Sequence, residues 1–352
     1  MKSHQKIISI IFFILFIIIF SYYNLDEYKS FHLQKINTEK NQLDINNKIN
    51  NFEVKNIQEL NDTKLFYTPN KELLGKIIEH INNAKNEIYL ETYMLTETRI
   101  QDALIKAKDR GVKIQIILEK SPYMSYNINN KAYDYLTKKG IKVVRSNKDN
   151  YSLNHSKVLL IDGLSIVSTG NYTYSTFTKN RDFFVFTSDK NINDKLKQNF
   201  SNDYLGEKIN IYDNNLIFSP NSSRIKFEKL FNSADKNIKM YFQYVLDDNL
   251  VEQLINLKLD KNIDIEIILP ITAKDDEKTK KLEKNGVKIS IQKKGTMHAK
   301  AILIDEKYLF IGSINFSENS IDNNREIGIL IKNTDIINQF LEIFYLDIKN
   351  ND

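Results

Sequence analysis

The chain opens with an unbroken apolar run, Ile7–Tyr23, seventeen residues without a charge. As a helix it would rise roughly 25 Å at ~1.5 Å per residue, enough for a thin bilayer core. Tyr22 and Tyr23 close the run where an interfacial aromatic belt belongs. Lys2 and Lys6 precede it and Asp26 and Glu27 follow, so the positive-inside rule puts the N-terminus in the cytoplasm and the remainder outside. A cleaved signal peptide, and hence a secreted protein, is the competing reading, although no small-residue cleavage site follows. Residues 1–23 are therefore expected to be a membrane helix or an address, with the rest of the chain extracytoplasmic. Residues 24–62 are polar, with scattered apolar positions and no Gly or Pro. They predict a spacer, partly helical or disordered.

Beyond residue 62 the pattern changes to alternating strand-like and helix-like runs. Leu73, Leu74, Ile77, Ile78 and Ile81 fall on one face of a helix. A short strand-like run follows at Glu87–Thr92, then a helix at Thr96–Arg110, a buried strand at Val112–Leu118 and a helix ending at Gly140. The same order returns as Ile238–Tyr244, Asp248–Lys258, Ile263–Leu269 and a helix ending at Gly286. The alternation predicts an α/β fold with largely parallel strands. It also predicts two repeats, 63–208 and 209–352, that account for nearly everything after the spacer.

The repeat is sharpest where it carries chemistry. His155, Lys157 and Asp162 recur 143 positions on as His298, Lys300 and Asp305. Further along, Ser168-Thr-Gly-Asn171 recurs as Gly312-Ser-Ile-Asn315, and Asn180-Arg181-Asp182 as Asn324-Arg325-Glu326, now 144 positions on. The first copy is thus one residue shorter between Asp162 and Asn171, and the hairpin turn at Asp162-Gly163 is the expected place for the difference. His and Lys two apart on a strand project from the same face. Each half therefore aims one imidazole and one ammonium at one place, with a neutral Asn after the next strand. His can attack or move protons near neutral pH, and Lys with Asn suits phosphoryl oxygens. Only five His occur in the chain, and two head this same pattern.

Two His-x-Lys-x4-Asp segments, each followed by a Gly-Ser-x-Asn-like segment, resemble the phospholipase D superfamily. The second copy fits fully, whereas Ser168-Thr169-Gly170-Asn171 departs from the pattern. The resemblance implies two α/β/α halves around a pseudo-twofold axis, forming one catalytic unit behind the N-terminal membrane helix. It implies that one of His155 and His298 attacks phosphorus to give a phosphohistidine. The other would protonate the leaving alcohol and then activate water, and family habit favours His155 as the nucleophile. Lys157, Lys300, Asn171 and Asn315 would hold the phosphoryl oxygens. Asp182 and Glu326 would orient the imidazoles, each that of the opposite half. Asp162 and Asp305 are expected to be structural. No metal or other cofactor is called for, and no oligomer is required to complete the site.

Composition narrows the chemistry further. Cys is absent from the 352 residues, which excludes disulfides, a thiolate nucleophile, Cys-ligated zinc and a Cys-linked lipid anchor. The net charge of +5 is spread thinly and neither demands nor forbids a nucleic-acid partner. The first expectation is a membrane-held phospholipase D-type phosphodiesterase hydrolysing phospholipid. An anchored or secreted metal-independent endonuclease is the alternative, and a cardiolipin synthase-like phosphatidyltransferase the second. Thr173 and Ser317 after each Asn lean toward the family's nucleases, and the Arg-Ser of its lipid synthases is missing. A non-catalytic scaffold is disfavoured because both motifs keep all their chemical groups.

Overall fold

The computed structural model describes residues 39–147, 149–208 and 211–351. They form two units, one ending at Asn51 and one beginning at Phe52. In the first, residues 39–50 are helical. The expected membrane helix at 7–23 lies outside the described residues, and among those described no helix is long and apolar enough to cross a membrane.

The larger unit holds two seven-stranded sheets built to one plan. The first comprises β1 (Thr63–Tyr67), β2 (Glu87–Thr92), β3 (Lys113–Leu118), β4 (Lys142–Arg145), β5 (Lys157–Ile161), β6 (Leu164–Ser168) and β8 (Phe183–Thr187), with a two-residue strand β7 (Asn180–Arg181) apart from it. The second comprises β9 (Leu216–Ser219), β10 (Asn237–Tyr241), β11 (Asp264–Pro270), β12 (Lys288–Gln292), β14 (Ala301–Ile304), β15 (Tyr308–Gly312) and β16 (Glu326–Ile331), with β13 (Thr296–Met297) apart from it. The orders β1-β8-β6-β5-β2-β3-β4 and β9-β16-β15-β14-β10-β11-β12 correspond strand for strand.

The expectation of largely parallel strands is corrected. Within the two seven-stranded sheets only β2-β3-β4 and β10-β11-β12 are parallel, and the other neighbours run antiparallel. The reason is local: the strand after each Lys turns straight back in a hairpin instead of crossing over through a helix. In the first half Asp162 and Gly163 form a two-residue turn with φ of 45° and 92°, the left-handed pair that suits a tight hairpin. In the second half Ile304 pairs with Tyr308 across three residues. The missing residue of the first copy is here. Asp162 accepts backbone N–H bonds from Lys85 (2.5 Å), Asn86 (3.0 Å) and Glu87 (2.8 Å). Asp305 does the same for Asp235, Lys236 and Asn237. Both carboxylates tie the hairpin to the start of the neighbouring strand, at the far end of β5 and β14 from the His residues.

Each sheet packs its own helices on one face. Leu73, Leu74, Ile77 and Ile81, on the expected helix face, pack with Ile88, Leu104 and Ile116 in the first half. The other faces meet in a central core to which both halves contribute, with Val158, Phe183 and Val185 against Leu303, Ile327 and Ile329. The helices Lys190–Leu205 and Thr334–Asn351 insert Phe200 and Phe344 into this layer. Complete burial of one such aliphatic or aromatic side chain is worth about 1.5–3 kcal/mol, so the shared core binds the halves together.

The spacer reading of residues 24–62 ends at Phe52. Phe52, Val54 and Ile57 are buried in the second half's core, and Leu60 in the central one. The Asn215 side chain clamps Gln58, accepting its N–H (3.0 Å) and donating to its carbonyl (2.8 Å). Four apolar residues spaced irregularly through nine positions carry no period, so packing here was invisible to a pattern reading.

Candidate active site

The site forms where the C-terminal ends of the parallel strands meet the start of β5 and β14. His155 and His298 each sit two residues before the Lys that opens or precedes these strands. Each is stitched to the other half through its backbone. The His155 N–H donates to the Arg325 carbonyl (2.8 Å), and the Arg325 N–H to the Leu153 carbonyl (2.9 Å). The His298 N–H donates to the Arg181 carbonyl (3.2 Å), and β13 pairs in parallel with β7. Arg325 precedes Glu326 and Arg181 precedes Asp182, so the backbone pairing delivers each carboxylate to the opposite imidazole. His155 Nδ1 lies 2.8 Å from Glu326 Oε2, and His298 Nδ1 2.8 Å from Asp182 Oδ1.

His155 is buried and His298 keeps only slight exposure, while both carboxylates are wholly enclosed. Burial alone would push the Glu326 carboxyl up, but the facing His155 and the Lys157 charge outweigh it and hold it low. Asp182 is likewise held low against burial, by His298 and Lys300. An ionised carboxylate accepts only, so each Nδ1 carries the proton and each neutral imidazole presents a bare Nε2. Burial pushes His155 down to about 4 against the pull of Glu326, and both lysines reinforce the fall. His298 is lowered by burial too, opposed by Asp182. The charges of both lysines lower each imidazole further, and the crossed His–carboxylate pairs bring the two halves' groups to one seam.

Lys157 and Lys300 are fully buried. Lys157 Nζ donates to the His155 carbonyl (2.5 Å), and Lys300 Nζ to that of His298. Burial drives Lys157 well below its ordinary range and Lys300 down to about 8. An ammonium has three donors, so each lysine keeps donors for an arriving anion, whose charge would restore its proton. Asn171 and Asn315 are buried as well, and their Oδ1 atoms lack hydrogen-bond partners within the described protein.

Sequence reasoning missed two layers of this site. The first is aromatic. Tyr93 sets its ring edge against His155, centroids 4.6 Å apart, and lies under Lys157 Nζ at 5.3 Å. Burial pushes its phenol up to about 12, and likewise that of Tyr244, which stands against Asn315 and Ser317. The second layer is a pair of crossed ionic clamps. Arg325 Nε donates to Asp203 Oδ2 (2.8 Å) and its Nη1 to the Ser219 carbonyl (3.1 Å). Arg181 donates from Nε (2.8 Å) and Nη2 (2.6 Å) to Asp347, and from Nη1 to the Thr68 carbonyl (2.7 Å). Tyr151 and Tyr241 donate to the same two aspartates. Asp203 and Asp347 are 144 positions apart, the repeat's own offset, which was the available signal. Beside the first clamp Glu91 accepts from Asn154 Nδ2 (2.7 Å), and burial with the Asp203 charge pushes it up to about 8.

Two imidazoles, two lysines and two carboxamides can bind a tetrahedral anion, with one neutral imidazole attacking through its bare Nε2 and the other, once protonated on Nε2, supplying a proton to the leaving group. Among the described residues no group of three or more His, Asp or Glu side chains is arranged to hold a metal ion.

A family model described as "Cardiolipin synthase, PLD-like domain" matches residues 77–204 and 227–348. The cardiolipin synthase of Clostridium perfringens (strain SM101) is 26% identical over 345 residues, spanning 82% of this chain and 71% of that protein. The phospholipase D of Rickettsia prowazekii is 26% identical over 156 residues, 44% of this chain and 73% of that protein. The crystal structure of phosphatidylserine synthase from Haemophilus influenzae Rd KW20 shares the fold, with a TM-score of 0.67 at 14% identity, covering 88% of this chain and 90% of that one. The two segments matched by the family model include both His-x-Lys pairs and both downstream carboxylates, and the chain belongs to the phospholipase D superfamily.

Proposed function

We propose that this protein is a phosphatidyltransferase, moving a phosphatidyl group from one phospholipid to an alcohol acceptor through a phosphohistidine. The observation that carries this reading is the likeness to cardiolipin synthases over four-fifths of the chain, joined to two imidazole–carboxylate pairs crossed between the halves. It departs from the first expectation of simple hydrolysis, which the half-chain likeness to a phospholipase D supports less broadly.

In the first step the His155 Nε2 lone pair attacks phosphorus, and the bond to the leaving alcohol breaks. Protonated His298 gives its Nε2 proton to that alcohol. In the second step neutral His298 takes a proton from the acceptor hydroxyl, whose oxygen attacks phosphorus and displaces His155. Lys157, Lys300, Asn171 and Asn315 hold the non-bridging oxygens throughout. The depressed pKa of His155 keeps it neutral and ready to attack at physiological pH. His298 must start protonated, and the negative charge of the bound phosphodiester favours that form. The apolar segment 7–23 would keep this site beside its substrate.

Hydrolysis is the same sequence with water as acceptor, and the absence of the lipid synthases' Arg-Ser after Asn171 and Asn315 favours it. The full chain assayed on vesicles of labelled phosphatidylglycerol separates the two. Transfer joins two phosphatidyl groups through one glycerol and frees the other, whereas hydrolysis gives phosphatidic acid. Cleavage of single-stranded DNA with neither lipid product would overturn both.

A further inference from the structure

Between β3 and the helix Asn130–Lys138 the chain carries no charge from Ser121 to Asn130, although 27% of all residues are charged. Both ends of this segment are pinned. The Lys120 N–H donates to Ser146 Oγ (3.1 Å). Buried Asn129 donates to the Tyr93 and Glu119 carbonyls (2.7 and 3.0 Å) and accepts the Leu95 N–H (3.1 Å). Between the pins the side chains face water: Tyr123 is 68% exposed, Met124 78% and Tyr126 60%, with Ile128 exposed beside them. Single exposed apolar residues are ordinary, but four within ten uncharged positions form a patch.

The patch stands at the mouth of the active site. The Tyr123 N–H donates to Tyr93 Oη (2.5 Å), and Tyr93 is the ring set against His155. Tyr174, three positions after Asn171, and Leu246, whose N–H donates to the carbonyl next to Asn315, are exposed too. Tyr joins an apolar ring to a polar tip, the combination that settles at a headgroup layer, and a Met side chain adapts to an irregular apolar surface. Lys120 and Lys131, both exposed, flank the uncharged run and suit anionic headgroups.

We infer that the loop 121–130 dips into the surface of a bilayer carrying anionic phospholipid and seats the mouth of the site against it. This rests on the phospholipid reading above but concerns a different surface, so the two can fail separately. The chain has no Trp, so Met124→Trp in the full-length protein gives a single fluorescent reporter. On phosphatidylcholine–phosphatidylglycerol vesicles its emission shifts to the blue and is quenched by lipids brominated on the acyl chain. Leu259→Trp, at an exposed position of the helix Asp248–Lys261, stays water-like. The double variant Met124→Ser/Tyr126→Ser keeps turnover of a water-soluble phosphodiester but loses roughly tenfold or more on vesicles. Unshifted Met124→Trp emission on vesicles overturns the inference, and so does a shift that needs only a higher protein concentration, which would mean a second copy covers the loop. Quenching of Met124→Trp with no lipid turnover by the parent protein would leave the docking loop standing and remove the phospholipid reading of the site.

Discussion

Glu326 of the second half holds the imidazole of His155, 171 positions earlier in the chain, at 2.8 Å. The reciprocal pair, Asp182 with His298, makes each half supply the other's carboxylate. Neither half can therefore orient its own histidine. Glu326→Gln removes the charge and the fixed tautomer while nearly preserving volume. Turnover should fall roughly 10²–10⁴-fold with little change in substrate affinity, the loss typical of a disabled base–orienter pair. A kcat that stays within about twofold would show that Glu326 does not position His155.

The ionic clamps should separate stability from chemistry. Arg325 and Asp203 are almost wholly buried, whereas the Arg181–Asp347 pair retains some exposure. Asp203→Asn leaves a buried guanidinium without its counter-charge and should cost about 3–5 kcal/mol in urea unfolding. Asp347→Asn should cost less, because water reaches that pair. Equal losses would mean that the burial difference does not govern the two clamps.

Much of this arrangement was legible from the repeat. The offset of 143–144 residues picked out His155, His298, both lysines, both asparagines and both carboxylates, because one chemistry was written twice. It also placed the deletion at the Asp162 hairpin. Tyr93 and Tyr244 escaped because they are not repeat equivalents: with Ile88 and Ile238 both opposite the end of the Lys strand, Tyr93 corresponds to Gln243 and Tyr244 to Met94. The packing of Phe52–Leu60 escaped because it has no period.

The first copy's departure from Gly-Ser-x-Asn has a packing cause. In the second half Gly312 pairs with Gly328, and the Phe310 ring lies where a Cβ on Gly328 would stand. In the first half the corresponding residues are Ser168, Phe184 and Ile166, so the aromatic ring comes from the other strand and the glycines are not needed. Gly328→Ala should therefore destabilise the protein by roughly 1–3 kcal/mol or more through overpacking. Adding Phe310→Leu should recover part of the loss, and thermal unfolding of the two variants checks this. No recovery would place the strain elsewhere.

The depressed His155 pKa also predicts a pH dependence of stability. In the unfolded chain the imidazole titrates near its ordinary value of ~6.5, while in the fold it is held at about 4. Between these values the unfolded state binds the extra proton and the native state does not, so stability falls as pH drops through this window. The loss is about 3 kcal/mol at most, and Glu326 and Asp182 add to it in the same direction at lower pH, since both are held low in the fold. His155→Asn should flatten the slope of unfolding free energy between about pH 4 and 6.5. An unchanged slope would mean that His155 is not held neutral by the fold.

The most direct test of the account is to trap the covalent intermediate. His298→Ala removes the group that deprotonates the acceptor, so incubation with a phosphodiester bearing a good leaving group should accumulate label on the protein. The account predicts an acid-labile, base-stable adduct that peptide mass spectrometry places on His155, and none on His298 in the His155→Ala variant. Label on His298 in that second variant, or no adduct on either residue while the parent protein turns over, would contradict it.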